Sequence, residues 1–166
     1  MSRIVNIHAT CLRVARAGLA FRAPAGAGVL LLGDSGAGKS DLALRLIGRG
    51  AQLVADDRTD LEVRRGRLVA RTPRNIAGLM EIRGLGIVQM PHAASAHIAL
   101  VVNLSGKVKR MPERNFFTPP KPLVLAQNAR PFLISLPALE ESAPDKILAA
   151  VAALHHGAFR ESVKRN

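Results

Sequence analysis

The chain has 166 residues, which suits one domain with one sizeable core. Hydrophobic residues make up 48%, which excludes a disordered tail, and aromatics only 3%, so Leu, Val, Ile and Ala must fill the interior. The net charge of +12 attracts polyanions, yet the basic residues are scattered with no aromatic stacking platforms between them, so charge alone does not select nucleic acid over a nucleotide or an acidic protein.

From the N-terminus, MSRIVNIHATCLRV shows no signal-peptide h-region with a cleavage site. Two β-like runs, Ile4–Ile7 and Cys11–Val14, come first. Cys11 is the one cysteine, so it closes no internal disulfide and joins no zinc-type spacing; it reads as a small buried hydrophobe in a reducing compartment. Pro24 and Gly26 mark Arg22–Gly28 as a turn-rich link. Val29–Leu32 is a short apolar run that suits a strand buried on both faces. A glycine-rich segment follows, then Ser40–Gly48 reads as a helix ending near Gly48–Gly50. Gln52–Ala55 is the next buried strand, completing a strand–helix–strand unit. Leu61–Val63 and Leu68–Ala70 flank a hairpin-like turn, and Ile98–Leu104 is a strong strand. Pro112–Pro122 reads as a loop, Phe132–Leu136 as a strand, and Asp145–His155 as the last helix. Arg160–Asn166 is a basic, frayed tail. No run approaches the roughly 18 apolar residues of a membrane helix. Residues 1–166 are therefore expected to form a single α/β domain with a mixed β-sheet, cytoplasmic and without a membrane partner.

Gly33, Asp34, Ser35, Gly36, Ala37, Gly38, Lys39 and Ser40 spell GDSGAGKS, the full Walker A pattern. Its glycines allow backbone N–H groups to approach phosphate oxygens. The helix that follows points its positive end at the same anion. Lys39 supplies a cation to the outer phosphates, and the Ser40 hydroxyl can ligate Mg²⁺. The strand before and the helix after make a chance glycine-rich turn a poor alternative. A P-loop core holding the phosphates of a nucleotide, with Mg²⁺, is expected.

Asp56 and Asp57 close the strand after the helix, where ligands of open α/β sheets bind. One carboxylate can serve the Mg²⁺ and the other can take a proton from an acceptor hydroxyl. Either Asp alone could also be a solvated acidic turn.

GDSGAGKSDLALRLIGRGAQLVADD resembles the core of HPr kinase/phosphorylase, and Glu81–Ile87, EIRGLGI, matches a second signature of that family. The resemblance runs from about His8 to about Leu154 and is strong over residues 28–60 and 78–88. It implies a fold akin to phosphoenolpyruvate carboxykinase and an ATP-dependent protein-serine kinase acting on an HPr-type phosphocarrier, assembled as a hexamer. Carried over by residue, Lys39 and Ser40 keep their Walker roles. Asp57 would be the base, Asp56 its support or a metal ligand, and Glu81 a second Mg²⁺ ligand. His8 matches a catalytic histidine before the P-loop; a strand-end histidine without function is its competitor. Arg110 matches an arginine that steadies the transferring phosphoryl group, with a solvated basic loop as the competitor. Arg83 and the Arg110 loop are candidates for carrier contact.

The departures are also specific. The chain starts close before the catalytic core, as in a short form of the family. The link between His8 and the P-loop is longer than in long members, and Pro91–Ala96 replaces a longer segment. Where the family has an Arg-containing turn tied to phosphorolysis, this chain has Pro137–Ala143, PALEESA. Glu140 and Glu141 near a phosphate site would repel the anion, so phosphorolysis is expected to be weak or absent. Two alternatives compete: a small-molecule P-loop kinase, disfavoured by EIRGLGI, and a nucleic-acid-binding NTPase, favoured by charge alone. A GTPase is disfavoured because no NKxD-type segment exists.

Overall fold

The computed structural model describes residues 3–14, 26–104 and 108–159. Most of the link at Arg22–Gly28 and the tail Arg160–Asn166 lie outside them.

The apolar runs form strands β1 (Ile4–His8), β2 (Thr10–Val14), β3 (Ala27–Leu32), β4 (Ala51–Ala55), β5 (Arg58–Arg64), β6 (Arg67–Arg71), β7 (Leu79–Ile82), β8 (Gly86–Gln89), β9 (Ala96–Asn103), β10 (Asn115–Phe116) and β11 (Phe132–Ser135), with helices α1 (Lys39–Ile47) and α2 (Ala143–His155). Nine of the strands make one mixed sheet in the order β1-β5-β6-β9-β3-β2-β4, with β11 on β9 and β10 beyond it. β3 runs parallel to β9, and β9 parallel to β11.

The expected strand–helix–strand unit is present but split. β2 lies between β3 and β4 and is antiparallel to both. Its burial explains the position: four of its five residues are buried, a pattern an edge strand would waste.

The sheet has an apolar layer on each face. On one, Leu42 and Leu46 of α1 and Ile147 and Val151 of α2 pack on Leu12, Val29, Leu31, Leu53, Leu100 and Val102. On the other, Cys11, Leu30, Val54, Leu61, Leu68 and Val101 pack together under Leu123 and Leu125. Neighbours Val29, Leu30 and Leu31 alternate between these layers, as side chains of period two must. Each fully buried Leu contributes about 1.5–3 kcal/mol relative to exposure.

Several boundaries differ from those expected. α1 starts at Lys39, and α2 starts at Ala143, because Pro144 in the first turn removes an N–H that has no helical partner there. β5 and β6 extend well past their apolar centres. Arg65 (φ 48°) and Gly66 (φ 74°) form the two-residue turn that joins them, as the hairpin pattern predicts. The loop expected at Pro112–Pro122 contains β10, which is paired to β11. The β7–β8 hairpin, which carries Glu81–Ile87, was not anticipated as strand: only one of its eight strand residues, Met80, is buried, so no apolar alternation marks it.

Candidate functional site

Three segments converge at one edge of the sheet: the glycine-rich loop after β3, the acidic pair after β4, and His8–Thr10 leading into β2. Gly38 adopts φ 89°, which a side chain would strain, and a Cβ there would lie 3.0 Å from the Ala138 Cβ. The Leu42 N–H bonds the Gly38 carbonyl at 3.0 Å, so α1 begins directly at the loop. No side chain caps this end, which leaves its first-turn amides facing outward. The Lys39 ammonium is 2.7 Å from the Gly33 carbonyl and 2.9 Å from that of Asp34. Lys39 is only 7% exposed. Burial lowers its pKa from the ordinary lysine value; the charges of Asp57, Asp56 and Asp34 oppose this in part.

Asp56 and Asp57 point to different partners. Asp56 is buried and accepts hydrogen bonds from Thr10 Oγ1 (2.9 Å), Ser40 Oγ (3.0 Å) and the Glu81 N–H (3.3 Å). Asp57 is the central residue of a three-residue turn: it has φ 62°, and the Arg58 N–H bonds the Asp56 carbonyl at 2.7 Å. Such γ-turns are rare and strained outside glycine. The turn swings Asp57 outward, where its carboxylate lies 3.0 Å from His8 Nε2 and 3.9 Å from Arg58 Nε.

These groups line a cleft of about 520 Å³ that holds His8, Thr10, Lys39, Ser40, Asp57 and Glu81, with Arg83, Leu44 and Leu139 at its walls. The structure thus brings His8, Lys39, Ser40, Asp57 and Glu81 to one cleft, with Asp56 directly behind Ser40. Arg110 is exposed and does not line the cleft. Glu140 and Glu141 do not line it either. Glu140 pairs with Lys146, and the residue of that segment facing the cleft is Leu139. The anion repulsion expected from PALEESA therefore has no local basis.

Thr10 was missed, because a threonine in a strand carries no signal until the fold sets it beside Asp56. A larger hollow of about 670 Å³, at the opposite sheet edge between the β5–β6 turn and residues 128–131, contains none of the expected residues. Volume does not choose between the two; the donor set does.

The family model described as HPr Serine kinase C-terminal domain matches residues 6–113, more than half of the chain. This chain belongs to that family. The match contains His8, GDSGAGKS, the Asp56–Asp57 pair and Glu81. Among individual relatives, HPr kinase/phosphorylase of Clostridium tetani is 48% identical over 66 residues, 40% of this chain and 22% of the relative. HPr kinase/phosphorylase of Clostridium beijerinckii is 48% identical over 65 residues, 39% of this chain and 22% of the relative. The matched segment thus spans about a fifth of those proteins. The structure of the Hpr(Ser) kinase/phosphatase from Coxiella burnetii superposes with a TM-score of 0.66 at 22% identity, covering 92% of this chain and 90% of that one. At that identity the likeness concerns the fold: an α/β architecture with a mixed sheet.

Proposed function

We propose that this protein is an ATP-dependent serine kinase acting on an HPr-type phosphocarrier, with GDSGAGKS as its P-loop on a phosphoenolpyruvate carboxykinase-like core. The observation that carries the reading is the division of labour in one cleft. A cradle of glycine-loop amides, Lys39 and Ser40 sits beside an exposed carboxylate, Asp57, oriented by His8 at 3.0 Å.

Asp57 takes the proton from the acceptor serine as its oxygen bonds to the γ-phosphorus. The bond from that phosphorus to the bridging oxygen breaks, and ADP leaves. Lys39 holds the outer phosphates, and the loop amides hold the rest. His8 keeps the Asp57 carboxylate aimed at the acceptor.

The donor set fits Mg²⁺: a serine hydroxyl 3.0 Å from a buried carboxylate, with Glu81 on the facing wall. Among the described residues no group of three or more His, Cys, Asp or Glu could hold a metal ion by itself, so an ion here would need phosphate oxygens and water to complete its shell. Ser40, Asp56 and Glu81 would hold it, and it would neutralise charge on the transferring group.

A protein acceptor fits better than a small molecule. Asp57 is 69% exposed, and the β7–β8 hairpin beside it presents Leu85 and Ile87 at 76% and 73% exposure. Such an apolar tip suits a macromolecular surface. Arg83 faces the cleft from the same hairpin and is placed to meet the acceptor. Arg110 lies outside the lining, so its contribution to transfer would require its loop to move inward.

Weak phosphorolysis remains part of the proposal on altered grounds: the Pro137–Ala143 segment offers the cleft Leu139 and no cation to bind inorganic phosphate. Pyrophosphate release from serine-phosphorylated carrier, Mg²⁺ and phosphate measures it, and rapid release overturns it. Hexameric assembly and a cytoplasmic location are carried from the family resemblance; light scattering tests the first. Among the described residues no helix is long and apolar enough to cross a membrane.

The deciding experiment is transfer of labelled γ-phosphate from ATP–Mg²⁺ to a purified HPr-type carrier, with Asp57→Asn in parallel. Serine labelling that disappears in the variant is expected. ATP binding without labelling would move the reading to a small-molecule acceptor or a nucleic-acid-linked NTPase.

A further inference from the structure

We infer that Leu139 is the platform on which the nucleoside base of the phosphate donor rests. This rests on the nucleotide reading above and names a part of the cleft that the phosphate groups do not use.

The positions of Asp57 and α1 set the direction of the bound nucleotide. Asp57 sits in the turn between β4 and β5, beside His8. The segment after β11 lies instead against the end of the glycine loop that opens α1, with Ala138 and Leu139 next to Gly38. The reacting phosphoryl must sit by Asp57, so the phosphate chain runs through the loop and past the start of α1. The nucleoside then leaves beyond the start of α1, where the cleft is lined by Asp41 and Leu44 of that helix and by Leu139, which lies beside Gly38.

Leu139 is 81% exposed, the most exposed of the large hydrophobic residues described. An apolar side chain so placed commonly rests on a mobile loop, but this one is fixed on both sides. Arg45 of α1 donates one guanidinium N–H to the Glu140 carbonyl at 3.0 Å and another to the Ala138 carbonyl. Arg45 is itself held by Asp41, with Nε 3.0 Å from Oδ2. Glu140 turns its carboxylate to Lys146, away from the cleft. The result is a rigid apolar face beside the phosphate loop: a Cβ added at Gly38 would lie 3.7 Å from Leu139 Cδ2. A flat heterocycle laid against Leu139 and Leu44 removes both from water, whereas a bare polyphosphate touches neither.

The test is calorimetric titration of the full chain with ATP and with tripolyphosphate, each with Mg²⁺, in wild type, Leu139→Ala and Leu139→Met. Leu139→Ala is expected to bind ATP about tenfold more weakly, about 1.4 kcal/mol, and tripolyphosphate as wild type does. Leu139→Met, with similar apolar bulk, should stay within about twofold for both ligands. Unchanged ATP affinity in Leu139→Ala would overturn the inference, as would an equal loss for both ligands. Wild type that binds neither ligand would overturn the nucleotide reading and this inference with it. Unchanged ATP affinity combined with a raised KM for the carrier protein would instead assign Leu139 to acceptor docking.

Discussion

Asp57 holds a backbone conformation that glycine adopts freely and aspartate only under constraint, and that turn sets its carboxylate beside His8 in the cleft. Strain of this kind costs on the order of 1–3 kcal/mol. Its contact with His8 is exposed and returns at most about 1 kcal/mol. Asp57→Gly should therefore melt at the same temperature as wild type or higher, while phosphoryl transfer falls about 10²- to 10⁴-fold. Asp57→Asn should lose the same activity with nucleotide affinity retained. Thermal unfolding measured beside turnover separates the two effects; a lower melting temperature for the glycine variant would show that the turn is not strained. Lys39 gives a pH signature. Burial lowers its pKa in the free protein, and a bound polyphosphate raises it again. Between those two values, binding takes up a proton, so affinity is full below the free-state pKa and declines as pH rises through it. Titration at alkaline pH in two buffers of different ionisation heat should show this uptake, and Lys39→Met should abolish it.

The β7–β8 hairpin is the element that completes the site. It docks through the fully buried Met80 and through the Glu81 N–H on Asp56, and it presents Glu81 and Arg83 to the cleft. Its entry is Gly78, with φ 74°, where a Cβ would lie 2.6 Å from His92 Nδ1 and 2.9 Å from the Met90 carbonyl, and would strike the Gln89 side chain. The Gly78 carbonyl also accepts the Met90 N–H at 2.7 Å, closing the hairpin base. Gly78→Ala should destabilise the chain by about 1–3 kcal/mol. It should also raise the Mg²⁺ concentration needed for half-maximal transfer, because Glu81 moves with the hairpin. A Mg²⁺ titration of activity checks this; an unchanged midpoint would remove Glu81 from the ion's ligands. α1 is the opposite kind of element. Leu42 and Leu46 anchor it to the sheet while its uncapped first turn stays open, so fixing the helix fixes the cradle.

At the scale of the whole molecule, the two apolar layers share one sheet, and a change in either reaches the site. Leu31 is fully buried in β3, directly before the loop. Leu31→Ala should cost about 2–5 kcal/mol by leaving a cavity, and thermal unfolding should register it as an earlier single transition. ATP–Mg²⁺ at about one hundred times its Kd should restore about 2.7 kcal/mol by binding the folded state alone. Cys11, fully buried in the other layer, has its thiol pKa pushed far up by burial, so it should resist alkylation until the protein unfolds.

The pieces whose physics is local were legible along the chain. GDSGAGKS, a run of backbone geometry and charge within eight residues, marked the cradle. Val29–Leu32 and Leu53–Ala55 within Gln52–Ala55 marked buried strands through short apolar runs, and the Asp56–Asp57 doublet and EIRGLGI pointed to the family that the match over residues 6–113 shows. Three-dimensional packing settled what depends on distant partners. It split the strand–helix–strand unit with β2, which no local pattern orders relative to β3 and β4. It separated the two aspartates: the turn at φ 62° sends Asp57 to His8 and leaves Asp56 to Thr10 and Ser40, a division that adjacency in sequence leaves open. It also turned Glu140 onto Lys146 and left Leu139 facing the cleft, because the Arg45 bonds that set the loop span more than ninety residues of chain.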